Sequence, residues 1–76
     1  MSEISLDARG LICPLPVLRA KKMLNGVPPG GELTVLATDP SSVSDFQAFC
    51  RQPGLELVEW AEDAEGVFRY RIRKTG

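Results

Sequence analysis

Apolar and polar residues alternate at the start of the chain, with Ile4, Leu6 and Ala8 on one side and Glu3, Ser5 and Asp7 on the other. A period of two is that of a strand with one buried face. The period then changes. Val17, Ala20, Leu24 and Val27 recur at helical spacing and predict a helix over residues 14–25. Gly26 reads as its stop, and Pro28-Pro29 block any continuation. Alternation returns at Leu33, Val35 and Ala37, a second strand over 32–38. Asp39 is a natural N-cap and Pro40 suits a first helical position, so a second helix should run to about Arg51. Its buried face would carry Val43, Phe46 and Cys50, and Pro53-Gly54 would end it. Residues 55–61 read as a third strand with weaker alternation, 63–66 as a turn and 67–73 as a fourth strand. In that last strand Phe68, Tyr70 and Ile72 point one way, and Arg69, Arg71 and Arg73 the other.

The order βαβαββ predicts an α/β (α+β) two-layer sandwich, with two helices packed on one face of a four-stranded mixed sheet. The first two strands, joined through a helix, should be parallel with a right-handed crossover. The last two, joined by a short turn, should be antiparallel. At 76 residues the expectation is a single domain, 1–76, with one thin core. Hydrophobic content of 43% and charged content of 25% are those of a soluble globular domain, and cytoplasmic localisation is expected. A net charge of -1 gives no general attraction to nucleic acid or acidic membranes. No stretch reads as a membrane span or a signal peptide. The chain has no histidine, which removes Cys-His and Ser-His catalysis and imidazole metal sites. Two cysteines outside any Cys-x-x-Cys pair make neither a disulfide framework nor a metal site.

Cys13 stands where strand pattern gives way to helix pattern, in Cys13-Pro14-Leu15-Pro16. With Pro14 as the first helical residue, Cys13 is the expected N-cap. Its sulfur would then face the unpaired N–H groups and positive end of the helix. Pro14 and Pro16 have no N–H, so Leu15 and Val17 are the expected donors. Such surroundings favour the thiolate, the nucleophilic form, and Arg9 is a further cation close in sequence. Leu15, Arg19 and Lys22, at i, i+4 and i+7, extend a partly basic stripe away from it. A rigid first turn of two prolines presenting a sulfur is poorly explained by packing alone.

The segment Leu6-Asp7-Ala8-Arg9-Gly10-Leu11-Ile12-Cys13-Pro14-Leu15-Pro16 resembles the signature of the TusA/SirA-like sulfur-carrier family. The likeness extends through Asp39-Pro40, Phe49-Cys50 and Tyr70-Arg71-Ile72-Arg73-Lys74. It implies a βαβαββ sandwich and a sulfurtransferase that carries a persulfide on Cys13. The implied donor is a cysteine desulfurase or other sulfur-donor protein, and the acceptor a protein with a reactive cysteine. No cofactor or metal of its own is implied, because the pyridoxal phosphate chemistry belongs to the donor. Family members serve transfer RNA thiolation, sulfur oxidation or molybdenum-cofactor supply. The variable motif residue here is Leu15 rather than an acid, as in carriers from sulfur-oxidising organisms and general bacterial paralogues.

Around Cys13, the residues expected to shape the site are Asp7, Arg9, Gly10, Pro14, Leu15 and Pro16. Asp7 would hold the loop through backbone N–H groups or an Asx-type turn. Arg19, Lys21 and Lys22 are candidate docking residues, although cations near a helix C-terminus are also favoured for stability. Cys50 is expected to be a buried structural thiol rather than a resolving one. Two rival functions remain open at this level. One is an RNA-binding module using Arg69, Arg71 and Arg73 beside Tyr70, which the pI of about 5.3 and the inward Tyr70 weaken. The other is a non-catalytic regulatory adaptor.

Overall fold

A computed structural model describes residues 3–12 and 14–75. The elements follow the order β1 (Glu3–Ala8), α1 (Leu15–Leu24), β2 (Glu32–Ala37), α2 (Ser42–Phe49), β3 (Leu55–Glu62) and β4 (Phe68–Lys74). They form a four-stranded sheet in the order β1-β2-β4-β3. β1 and β2 are parallel from Glu3↔Glu32 to Ala8↔Ala37. β4 lies antiparallel to both β2 and β3. The sheet is therefore mixed, as the element order predicts, with β4 inserted between β2 and β3.

Strand pairing puts the apolar side chains on one face. Leu6 pairs with Val35, Val35 with Tyr70, and Leu33 with Ile72. Leu33, Val35, Tyr70 and Ile72 are fully buried under Ala20 and Leu24 of α1 and Phe46 of α2. The Phe46 ring stacks on Tyr70 with centroids 4.5 Å apart. The Tyr70 hydroxyl is buried with Ser42 Oγ at 2.6 Å, so the one polar tip among these aromatics is satisfied. β3 alternates poorly because its pairing with β4 shifts register between Leu57 and Glu59. A bulge there breaks the period of two.

Helix boundaries depart from the sequence expectation at both ends of α1 and of α2, where α2 stops at Phe49 with Cys50 as its C-cap rather than running to about Arg51. α1 begins at Leu15 with Pro14 in the cap position, one residue later than predicted. The Leu15 N–H donates to the Ile12 carbonyl at 2.9 Å, closing a turn before the helical ladder starts with Leu18 N–H to Pro14 O at 3.0 Å. α1 also ends at Leu24 with Asn25 as C-cap, so Gly26 follows the stop rather than making it. At α2 the cap is Ser41, not Asp39. The Asp39 carboxylate accepts the Ser41 N–H at 3.0 Å and its carbonyl accepts the Ser42 N–H at 2.9 Å. That turn takes up Pro40 and Ser41, the residues expected to open the helix.

Candidate functional site

Because β1 and β2 are parallel and in register, their carboxyl ends lie side by side, and the segments that lead into α1 and α2 leave from one edge. The first of these segments carries the cysteine motif. Cys13 itself lies outside the described residues, and the cap expected of it falls to Pro14; its neighbours define the frame. Gly10 takes φ +82°, a left-handed value that glycine adopts without strain. Its N–H donates to Thr38 Oγ1 at 2.9 Å, while the Leu11 N–H returns to the Ala8 carbonyl at 3.2 Å.

Asp7 and Arg9 form a closed unit. Arg9 Nε and Nη2 donate to the two Asp7 carboxylate oxygens at 2.8 and 2.9 Å, and the Arg9 backbone N–H adds a third bond at 3.1 Å. The Arg9 guanidinium, followed by its backbone N–H, holds the Asp7 carboxyl down at about 2. The cation expected beside the thiol is thus balanced by its own carboxylate. Asp7 does bond a backbone N–H of the loop, as expected. Leu15, expected as a free N–H donor at the helix start, is spent on Ile12.

The motif's prolines serve two ends: Pro16 is buried in the core, whereas Pro14 is exposed. Around them lies an apolar rim that sequence reasoning missed. Ile12 is 73% exposed, Leu18 53% and Leu15 44%, three of the four large apolar side chains left in water among the described residues. The available signal was phase, since Leu15 and Leu18 fall off the buried stripe of Ala20 and Leu24. Arg19, Lys21 and Lys22 are all exposed. Helix phase puts Arg19 and Lys22 with Leu15, but Lys21 lines a separate groove with Leu24, Phe49 and Lys74. An open groove of about 370 Å³ between Pro14 and Val17 of the α1 region and Asp45, Ala48 and Phe49 of α2 adjoins the motif. None of the described residues in the first turn of α1 is acidic.

Two other candidates resolve differently. Cys50 is buried at the C-terminal cap of α2, and burial pushes its thiol up to about 11, which suits the structural role expected for it. The arginine row of β4 faces away from the helices, where glutamates meet it. Arg71 pairs with Glu59 at 3.2 Å and Glu32 at 3.6 Å, and Arg73 with Glu32 at 3.0 Å and Glu56 at 3.6 Å. Tyr70 is fully buried and offers no ring for base stacking, and the glutamates offset the arginine charge; the exposed ring beside the row is Trp60, which lines a groove with Arg69 and Arg71.

Residues 4–74 match the family model described as sulfurtransferase TusA. The chain is 56% identical over 70 residues to the sulfur carrier protein TusA of Allochromatium vinosum, covering 92% of this chain and 91% of that one. It is 49% identical over 69 residues to the sulfur carrier protein TusA of Pseudomonas aeruginosa, covering 91% and 86%. Among solved structures, a SirA-like protein from Desulfitobacterium hafniense superposes with a TM-score of 0.84 at 35% identity, over 96% of this chain and 99% of that one.

Proposed function

The chain belongs to the sulfurtransferase TusA family, and from that premise we propose that it is a sulfur carrier that takes up sulfane sulfur as a persulfide on Cys13. The observation that carries this reading is the family match across residues 4–74, within which Cys13-Pro14-Leu15-Pro16 leads into α1. The chemistry is two displacements at sulfur. The Cys13 thiolate attacks the outer sulfur of a donor persulfide; the donor S–S bond breaks and the donor leaves as thiolate. An acceptor thiolate then attacks the outer sulfur of the Cys13 persulfide, and Cys13 leaves as thiolate. Each step exchanges one S–S bond for another, so no external oxidant or reductant is consumed.

The requirements on the protein are few: an open approach, and surroundings that favour a sulfur anion both as attacker and as leaving group. An α1 first turn without a carboxylate supports the second requirement, and the exposed rim of Ile12, Leu15 and Leu18 the first. A cysteine desulfurase is the proposed donor, a protein with a reactive cysteine the acceptor, and the cytoplasm the site of exchange. The rim, with Arg19 and Lys22 beside it, is the proposed contact surface for both; Lys21 stands apart from it. No helix is long and apolar enough to cross a membrane among the described residues.

Intact-mass analysis after incubation with a cysteine desulfurase, pyridoxal phosphate and cysteine tests the proposal. The expected result is a gain of one sulfur, removed by dithiothreitol, abolished in Cys13→Ala and retained in Cys50→Ala. Loading that survives Cys13→Ala would overturn the assignment.

A further inference from the structure

The strand ends at this edge are joined by a bond that no local turn supplies. Gly10, in the loop after β1, donates its N–H to the side-chain hydroxyl of Thr38, the residue that follows β2, across 28 positions of sequence. Among the described residues, the backbone bonds around the motif are local: Leu11 N–H to Ala8 O, Leu15 N–H to Ile12 O, and Leu18 N–H to Pro14 O. Those bonds shape successive turns without fixing the loop relative to the neighbouring strand. The Gly10–Thr38 bond does tie it to that strand, at the carboxyl end of β2. Gly10 also stands at φ +82°, so the direction in which the chain leaves β1 depends on how that residue is held.

We propose that Thr38 is a positioning residue for sulfur exchange: its hydroxyl anchors the Gly10 turn and so fixes the path along which the chain presents Cys13. The chemical half of this inference rests on the carrier reading; the geometric half stands on the hydrogen bond alone. Thr38 is exposed, so loss of the hydroxyl leaves the Gly10 N–H to water, and the fold should survive. The loop would lose its hydrogen bond to the end of β2 while keeping the packing of Leu11 against the core.

The test compares Thr38→Val, which keeps the shape and loses the hydroxyl, with Thr38→Ser, which does the reverse. Three quantities are read on the full chain: hydrogen exchange at the Gly10 amide, alkylation of Cys13 by iodoacetamide, and persulfide loading from inorganic polysulfide. In Thr38→Val the Gly10 amide should exchange about tenfold faster, and alkylation and loading should slow by about three- to tenfold through misplacement of the sulfur, with the melting temperature little changed. Thr38→Ser should behave as the unaltered chain. Unaltered Cys13 rates in Thr38→Val, or an equal loss in Thr38→Ser, would overturn the proposal. So would exchange of the Gly10 amide at the open-loop rate in the unaltered chain, whatever the variants do. Failure of the unaltered chain to load sulfur, with the alkylation difference intact, would remove the carrier reading and leave the positioning role standing.

Discussion

The two helices start from the same edge of the same sheet, yet their first turns have opposite character. The approach to α2 is closed and charge-balanced. Asp39 gathers the N–H groups of Ser41 and Ser42, and Asp45 places a carboxylate in the first turn, where the helix dipole favours one. Ser42 is buried against Tyr70. The approach to α1 has prolines at the cap and second positions, an exposed rim of Ile12, Leu15 and Leu18, and no acid among the described residues of its first turn. A helix start without its own carboxylate keeps its attraction for an outside anion. One supersecondary unit is thus built twice, once with a carboxylate in the first turn of its helix and once without.

The largest consequence separates the two cysteines. With its thiol pushed up to about 11, Cys50 should be about one part in a thousand thiolate at pH 8, against roughly a tenth for a thiol at the ordinary value of 9.0. Iodoacetamide at pH 8 should therefore label Cys13 while Cys50 reacts at least about a hundredfold more slowly, read by peptide mapping. Similar labelling of both would erase the contrast. The same burial has a stability consequence. The folded thiol titrates above the ordinary value of 9.0, so its contribution is present below about pH 9 and fades as pH rises toward 11. Cys50→Ala should flatten that alkaline limb in denaturant titrations.

Next comes the anchor of α2. Ser42→Ala leaves the buried Tyr70 hydroxyl without its partner and should cost about 1–3 kcal/mol in urea unfolding. Persulfide loading on Cys13 should be unchanged, because the two helix starts are separate devices. A loss of loading matching the loss of stability would show that they are coupled.

Smaller still is the effect of making α1 resemble α2. Leu15→Glu puts a carboxylate into the first turn of α1 and should raise the pH midpoint of Cys13 alkylation by roughly 0.2–0.7 unit, the size of a helix-end charge effect. A midpoint that does not move would mean the sulfur does not feel that helix end. The subtlest check concerns the loop pair. Asp7, held at about 2 by Arg9, should keep its pair with Arg9 intact above about pH 4 and lose it only as pH falls through 2. Carboxyl chemical shifts followed by NMR should show that midpoint, with Arg9→Ala returning it toward 3.8.

The amino-acid sequence by itself determined which side chains turn inward. Ile4, Leu6 and Ala8, then Leu33, Val35 and Ala37, then Phe68, Tyr70 and Ile72 declare their faces through a period of two, and Ala20, Leu24 and Phe46 through helical phase. It also marked the segment around Cys13, since a proline pair beside a cysteine at a strand-to-helix change is a local pattern. Helix starts were less legible. Whether Cys13 or Pro14, Asp39 or Ser41 takes the cap depends on turns that compete for the same few N–H groups. Tertiary structure alone decided the rest: β4 between β2 and β3, glutamates set against Arg71 and Arg73, and Gly10 tied to Thr38. Periodicity records how each residue stands toward water, whereas these pairings join residues far apart in the chain and exist only once the sheet has brought them together.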